Sequence, residues 1–201
     1  MKKNETALLV VDMQYGGGAP DGSLVQMLKV DTTKQEDIVT PIIQLKDYFN
    51  RENMLVVNIK TEYEADFSDW PMLAERFEVE KFKHFVKGTP DAEIIPLLMP
   101  RAEEELIVKN RWNGFFNTNL HQLLSSKGIK NLVIVGAATD VCVLETCSNA
   151  FSLNYNCIVP EETTASFTPE RKQMGLEMLR FGRSQVVHVQ QVYEILEEGT
   201  K

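Results

Sequence analysis

Six short apolar runs punctuate the chain: "TALLVVDM" (6–13), "NMLVVNIKT" (53–61), "EELIVKN" (104–110), "NLVIVG" (131–136), "NCIVPE" (156–161) and "SQVVHVQQ" (184–191). Each has the length and the Val/Ile/Leu content of a β-strand. They run apolar without alternating with polar residues, as expected of strands buried on both faces. Between them lie segments of helical period. "DIVTPIIQLKDYFNRE" (37–52) sets Ile38, Ile42, Leu45 and Phe49 on one face, and "FFNTNLHQLLSSKG" (115–128) ends on Gly128, a natural stop. "CVLETCSNAFSLN" (142–154) follows the fourth run, and 168–182 offers Thr168 as cap, Pro169 in the first turn and Gly182 as terminator. Strand and helix in alternation predict an α/β fold, a mostly parallel sheet covered by helices on both faces. Residues 15–35 read as one long irregular segment after the first strand, a lid or a plain surface loop.

Composition narrows the class. At 201 residues the chain fits a single domain, residues 1–201, with 43% hydrophobic and 25% charged residues. No run approaches the roughly 20 apolar residues of a membrane helix. The N-terminal "MKKNE" resembles a signal-peptide start, but the apolar run after it is short and ends at Asp12, so it reads as a first strand. A net charge of −8 without a basic cluster excludes a nucleic-acid partner. Three cysteines without paired spacing fit a reducing, cytoplasmic setting rather than a disulfide framework.

In an open parallel sheet, ligands bind outside the carboxyl ends of the strands. Asp12 ends the first run, Lys109 the third, and Cys142 follows the fourth. Singly, the first two are ordinary strand ends, and a lone cysteine is usually a small buried hydrophobe, the reading given to Cys147 and Cys157. Jointly they supply the parts of covalent catalysis. Cys142 is expected at the start of a helix, where the dipole and unpaired N–H groups favour thiolate and can hold an oxyanion. Asp12 can then move the thiol proton, and Lys109 can favour the ionised carboxylate. The implied chemistry is nucleophilic acyl transfer on a small amide-like substrate.

The segments "ALLVVDMQ", "FVKGTPDAEIIPLL" (85–98), "VKNRWNGFFNTNLHQLL", "VIVGAATDVCVLETCSNAF" and "VPEETTAS" (159–166) fall in the order seen in one family. The chain resembles the isochorismatase-like cysteine hydrolases, which include nicotinamidase, N-carbamoylsarcosine amidase, and ureidoacrylate and biuret amidohydrolases. The resemblance implies a three-layer Rossmann-like domain, an Asp12–Lys109–Cys142 triad, and a cis peptide at Ala137–Ala138. It also implies an oxyanion hole from the Ala138 and Cys142 N–H groups, and a homo-oligomer, dimer or tetramer. With the cysteine present, C–N hydrolysis is favoured over the vinyl-ether cleavage of isochorismatase, and an inactive homologue is the non-catalytic alternative.

Nicotinamidase is a further alternative, but members of that kind carry a histidine-rich metal site after the second strand. The stretch "NIKTEYEADFSDWPM" (58–72) has no histidine, and His84, His121 and His188 are scattered, the last two expected to be structural, mid-helix and inside a strand. No metal is expected, and "KGTPDAEI" matches no nucleotide-binding loop, so no cofactor is expected either. That stretch reads as a turn and helix start capped by Thr89 or Asp91. Tyr63, Trp70, Trp112, Asn113, Phe115 and Phe116 are candidates for the substrate pocket, with plain core packing as the alternative for the aromatics. Arg111 or Lys60 can pair with a substrate carboxylate, or serve only as surface charge.

Overall fold

The computed structural model describes residues 1–29, 33–77, 81 and 83–199. Its centre is a seven-stranded sheet: β1 (Thr6–Val11), β2 (Leu55–Thr61), β3 (Glu105–Lys109), β4 (Asn131–Ala137), β5 (Asn156–Pro160), β6 (Thr164–Ala165) and β7 (Gln185–Val187). The order is β3-β2-β1-β4-β5-β7, with β6 beside the end of β4, and every strand pair is parallel. The chain winds outward from β1 in one direction and from β4 in the other. The switch between them is where such sheets leave a crevice.

The helices are α1 (Tyr15–Gly18), α2 (Ser23–Leu28), α3 (Thr33–Arg51), α4 (Pro71–Arg76), α5 (Leu120–Ser126), α6 (Leu144–Ser152), α7 (Pro169–Arg180) and α8 (Val189–Glu198). β1 shows why its sequence carries no polar alternation. Ala7, Leu9 and Val11 face a core completed by Leu120 and Leu124 of α5, Cys147 and Ala150 of α6, and Leu176 and Leu179 of α7. Leu8 and Val10 face the other, built with Ile38, Ile42, Leu45 and Phe49 of α3 and Val192 and Leu196 of α8. Both faces are dry, so both sets are apolar. Burying each such large side chain is worth about 1.5–3 kcal/mol.

Several expected boundaries move. The last run yields only three strand residues, because His188 caps α8, its N–H donating to Gln191 Oε1 at 2.9 Å. His188 is therefore a helix cap and not a strand residue. His121 lies in the first turn of α5, its Nδ1 3.0 Å from the Tyr155 hydroxyl, because the turns after Asn113 delay the helix to Leu120. Thr168 does cap α7, accepting from the Arg171 N–H at 3.2 Å. The segment 15–35 is not one loop. It holds α1 and α2, α3 begins at Thr33, and residues 30–32 lie outside the described set. Thr89 and Asp91 do not cap a helix with their side chains. Asp91 instead accepts from the N–H and Oγ of Ser23 and from the N–H of Phe85, tying α2 to the loop before Pro90.

Gly136 lets β1 and β4 approach at the switch. Its φ is +115°, and a Cβ there would stand 2.0 Å from the Val11 carbonyl oxygen. Gly136→Ala is expected to cost more than about 2 kcal/mol, since backbone cannot retreat as a flexible side chain does. A urea midpoint unchanged from the parent would refute this.

Candidate active site

Rim geometry follows from the strand order. Asp12 stands one residue past β1 with φ 49°, a left-handed conformation that aspartate tolerates better than most residues. Its N–H donates to the Ile59 carbonyl at 2.9 Å. Thr61 and Lys109 end β2 and β3 and lie opposite each other in register. The three contributing strands are not all neighbours: β1 and β4 pair, but β2 lies between β1 and β3. The long lysine stem bridges that gap across the end of β2. Gln14 fixes the end of β2: its Nε2 donates to the carbonyls of Thr61 and Ala92, both at 2.7 Å, and its Oε1 accepts from the Thr61 N–H at 2.7 Å.

At the centre, Lys109 Nζ lies 2.7 Å from Asp12 Oδ2, and it donates to Thr61 Oγ1 at 2.6 Å and the Arg111 carbonyl at 2.9 Å. Cys142 Sγ is 3.6 Å from the same Nζ. Thr61 Oγ1 donates to Asp12 Oδ1 at 3.1 Å. The lysine side chain is fully buried and the aspartate 8% exposed. The three positions nominated from strand ends therefore meet in one cluster. Thr61 is a fourth member that the sequence reading passed over, although it too ends a strand.

Cys142 arrives from the other side of the switch. The peptide Ala137–Ala138 is cis, and residues Thr139–Val143 form a single π-helical turn before α6. Single π-turns of this kind concentrate at functional sites. Burial pushes the thiol's pKa up, with Lys109 opposing, and the net direction is upward. This reverses the thiolate expected from a helix terminus: the cysteine precedes α6, and desolvation of its sulfur outweighs nearby positive charge. For Lys109, burial acts to lower the pKa, but Asp12 and Cys142 outweigh it and the net direction is up. That direction favours a thiol beside the Lys109–Asp12 ion pair.

The cluster opens into a cavity of about 180 Å³. Ala137, Ala138 and Cys142 form one wall, Tyr63, Trp112 and Phe85 an aromatic wall, and Leu24, Met27 and Leu28 of α2 part of the cover. His84 and Arg171 also border it. Arg171 is held by Asp140, Nε to Oδ2 at 2.6 Å, and lies 5.2 Å from the Phe167 ring. Neither residue was nominated. Arg171 carries no sequence signal, being one charge on an exposed helix. His84 was set aside as one scattered histidine.

Of the pocket candidates, Tyr63 and Trp112 line the cavity; Trp70, Asn113 and Phe116 do not. Trp70 stands behind them, its ring 6.0 Å from Tyr63 and 5.5 Å from Trp112, with the Arg111 guanidinium 4.7 Å over its face. Asn113 Oδ1 accepts from the Phe115 N–H at 2.8 Å, a turn-forming bond, and Phe115 belongs to the core. Phe116 is half-exposed beside Arg111. Arg111 is engaged by the Asn110 and Asp69 carbonyls and Lys60 by Glu62 and Glu93, and neither borders the cavity. Among the described residues, no group of three or more His, Cys, Asp or Glu is placed to hold a metal, and no helix is long and apolar enough to cross a membrane.

An isochorismatase-domain family model matches residues 6–192. The ureidoacrylate amidohydrolase RutB of Agrobacterium fabrum is 30% identical over 85% of this chain and 80% of its own length. A probable inactive nicotinamidase of Arabidopsis thaliana is 33% identical over 82% of this chain and 83% of its own. The crystal structure of a cysteine hydrolase from Pseudomonas syringae pv. phaseolicola superposes with a TM-score of 0.88 at 23% identity, covering 99% of this chain and 95% of that one.

Proposed function

We propose that this chain, which belongs to the isochorismatase family, hydrolyses the C–N bond of a small amide or ureide through a thioester on Cys142. The observation that carries the reading is the convergence of carboxylate, ammonium and thiol: Nζ at 2.7 Å from Asp12 and 3.6 Å from Cys142 Sγ. A relative acting as an amidohydrolase adds support.

The geometry suggests each step. A substrate carbonyl enters the cavity beside Sγ. Asp12 accepts the thiol proton as sulfur attacks, so the thiolate exists only while bonding to carbon. The Ala138 and Cys142 N–H groups receive the developing oxyanion. The tetrahedral intermediate then collapses, the C–N bond breaks, and Asp12 returns the proton to the departing nitrogen, releasing ammonia or an amine. Water, deprotonated by Asp12, cleaves the thioester, and the proton passes back to sulfur. Lys109, its pKa raised, stays charged throughout and holds the carboxylate in register with sulfur.

Thr61 positions both partners through its hydroxyl. Thr61→Val keeps the volume but removes two hydrogen bonds, and turnover is expected to fall about tenfold with a stability loss of about 1 kcal/mol. Undiminished turnover in that variant would exclude the positioning role. The reading as a whole is tested by incubating the enzyme with small primary amides and ureides and measuring released ammonia. Ammonia from at least one of them supports it, whereas cleavage of a vinyl ether with no amide turnover would replace it with an isochorismatase-type reaction.

A further inference from the structure

One buried polar group at the cavity has no role in the chemistry above. His84 is 4% exposed and lines the cavity, yet its Nδ1 has no hydrogen-bond partner. Its ring is set among aromatic edges, with centroids 5.7 Å from Tyr63, 5.9 Å from Phe67 and 5.8 Å from Phe85. These rings pack around it and leave Nδ1 without a hydrogen bond. Most buried polar atoms are satisfied, because leaving one unpaired costs about 1–3 kcal/mol. The His84 side chain borders the cavity while Nδ1 is buried without a partner, which leaves the imidazole free to meet a polar group that enters.

The charge state limits what that partner is. Burial lowers the pKa of His84 to about 4, so the imidazole is neutral near pH 7, with one N–H donor and one lone-pair acceptor. Arg171, a charged side chain that borders the cavity, is paired with Asp140 through Nε. Around these the walls are aromatic and aliphatic. Among the described residues, the charged side chains that border the cavity are Asp12 of the rim cluster and Arg171, paired with Asp140.

We propose that His84 is a specificity residue, hydrogen-bonding an uncharged polar group of the substrate other than the scissile amide. This rests on the amidohydrolase reading and narrows it to small neutral amides bearing a second hydrogen-bonding atom. It disfavours substrates with a carboxylate at that position.

The test compares isosteric aromatic amides: benzamide, with no second polar atom; hydroxybenzamides and pyridinecarboxamides, with a neutral one; and carboxybenzamides, with a charged one. For the parent enzyme, kcat/KM for the best neutral polar amide is expected to exceed that for benzamide by about tenfold or more, with the carboxylated amides below both. In His84→Phe that ratio should collapse towards one, and His84→Gln should restore part of it. A parent ratio near one, or a ratio that survives in His84→Phe, would overturn the assignment. Should His84→Phe fail to fold, the same question is put to Cys142→Ala labelled with 15N-histidine. The chain has three histidines, so the ring signals are assignable with His84→Gln. The His84 ring nitrogens should shift with the neutral polar amide and stay unmoved with benzamide; equal responses count against the proposal. If His84 responds in this way while no amide is turned over, the proposed reaction fails and the recognition role stands. If amides are hydrolysed without regard to His84, the reverse holds.

Discussion

Replacing Cys142 with alanine is expected to reduce amide turnover by about a thousandfold or more, because it removes the nucleophile on which the acyl intermediate forms. Cys147 and Cys157 are buried in the core, so neither can substitute. Cys142→Ser should fare little better, since its hydroxyl would require a stronger base than a carboxylate already shared with Lys109. The upward direction of the thiol's pKa adds a second expected result. Without substrate, alkylation of Cys142 by iodoacetamide should be slow near pH 7 and keep rising beyond pH 9, where an ordinary thiol levels off. A plateau near neutral pH would reveal a resting thiolate and would contradict transfer of the proton to Asp12 during attack.

The second large effect is on stability as well as rate. Lys109 is fully buried and supplies the ammonium paired to Asp12. Lys109→Met retains the apolar stem but leaves a carboxylate buried without a counter-charge, an arrangement expected to cost about 3–5 kcal/mol. Restoring charge balance should recover much of that loss. The double variant Asp12→Asn, Lys109→Met is expected to melt well above Lys109→Met alone, and asparagine accepts the left-handed backbone at position 12. Both variants should remain inactive. Parent-like stability in Lys109→Met would show that Asp12 is not held as a buried anion.

These contrasts show how far the sequence could be read. Strands buried on both faces demand apolar residues at successive positions, so β1 and β4 were legible from "ALLVV" and "LVIV" alone. The same logic located the rim, because Asp12, Lys109 and Cys142 each follow such a run. What the runs do not encode is their lateral order. That β2 separates β1 from β3 depends on the crossovers, and with it goes the place of Thr61 between Lys109 and Asp12. The cavity wall was less legible still. Trp70 and Trp112 are both tryptophans in polar surroundings, yet one lines the cavity and the other supports it from behind, a difference set by tertiary packing. The short helix α2 has too few turns for a helical period, and its position depends on Asp91 far along the chain. His84 was visible as a residue, but its missing partner is a property only of the folded interior.

The central claim is a covalent intermediate, and mass spectrometry of enzyme acid-quenched during turnover of an accepted amide tests it most directly. The account predicts a peptide containing Cys142 heavier by the substrate's acyl group, formed within one turnover and absent from Cys142→Ala. Steady release of ammonia with Cys142 unmodified at every quench time would contradict it.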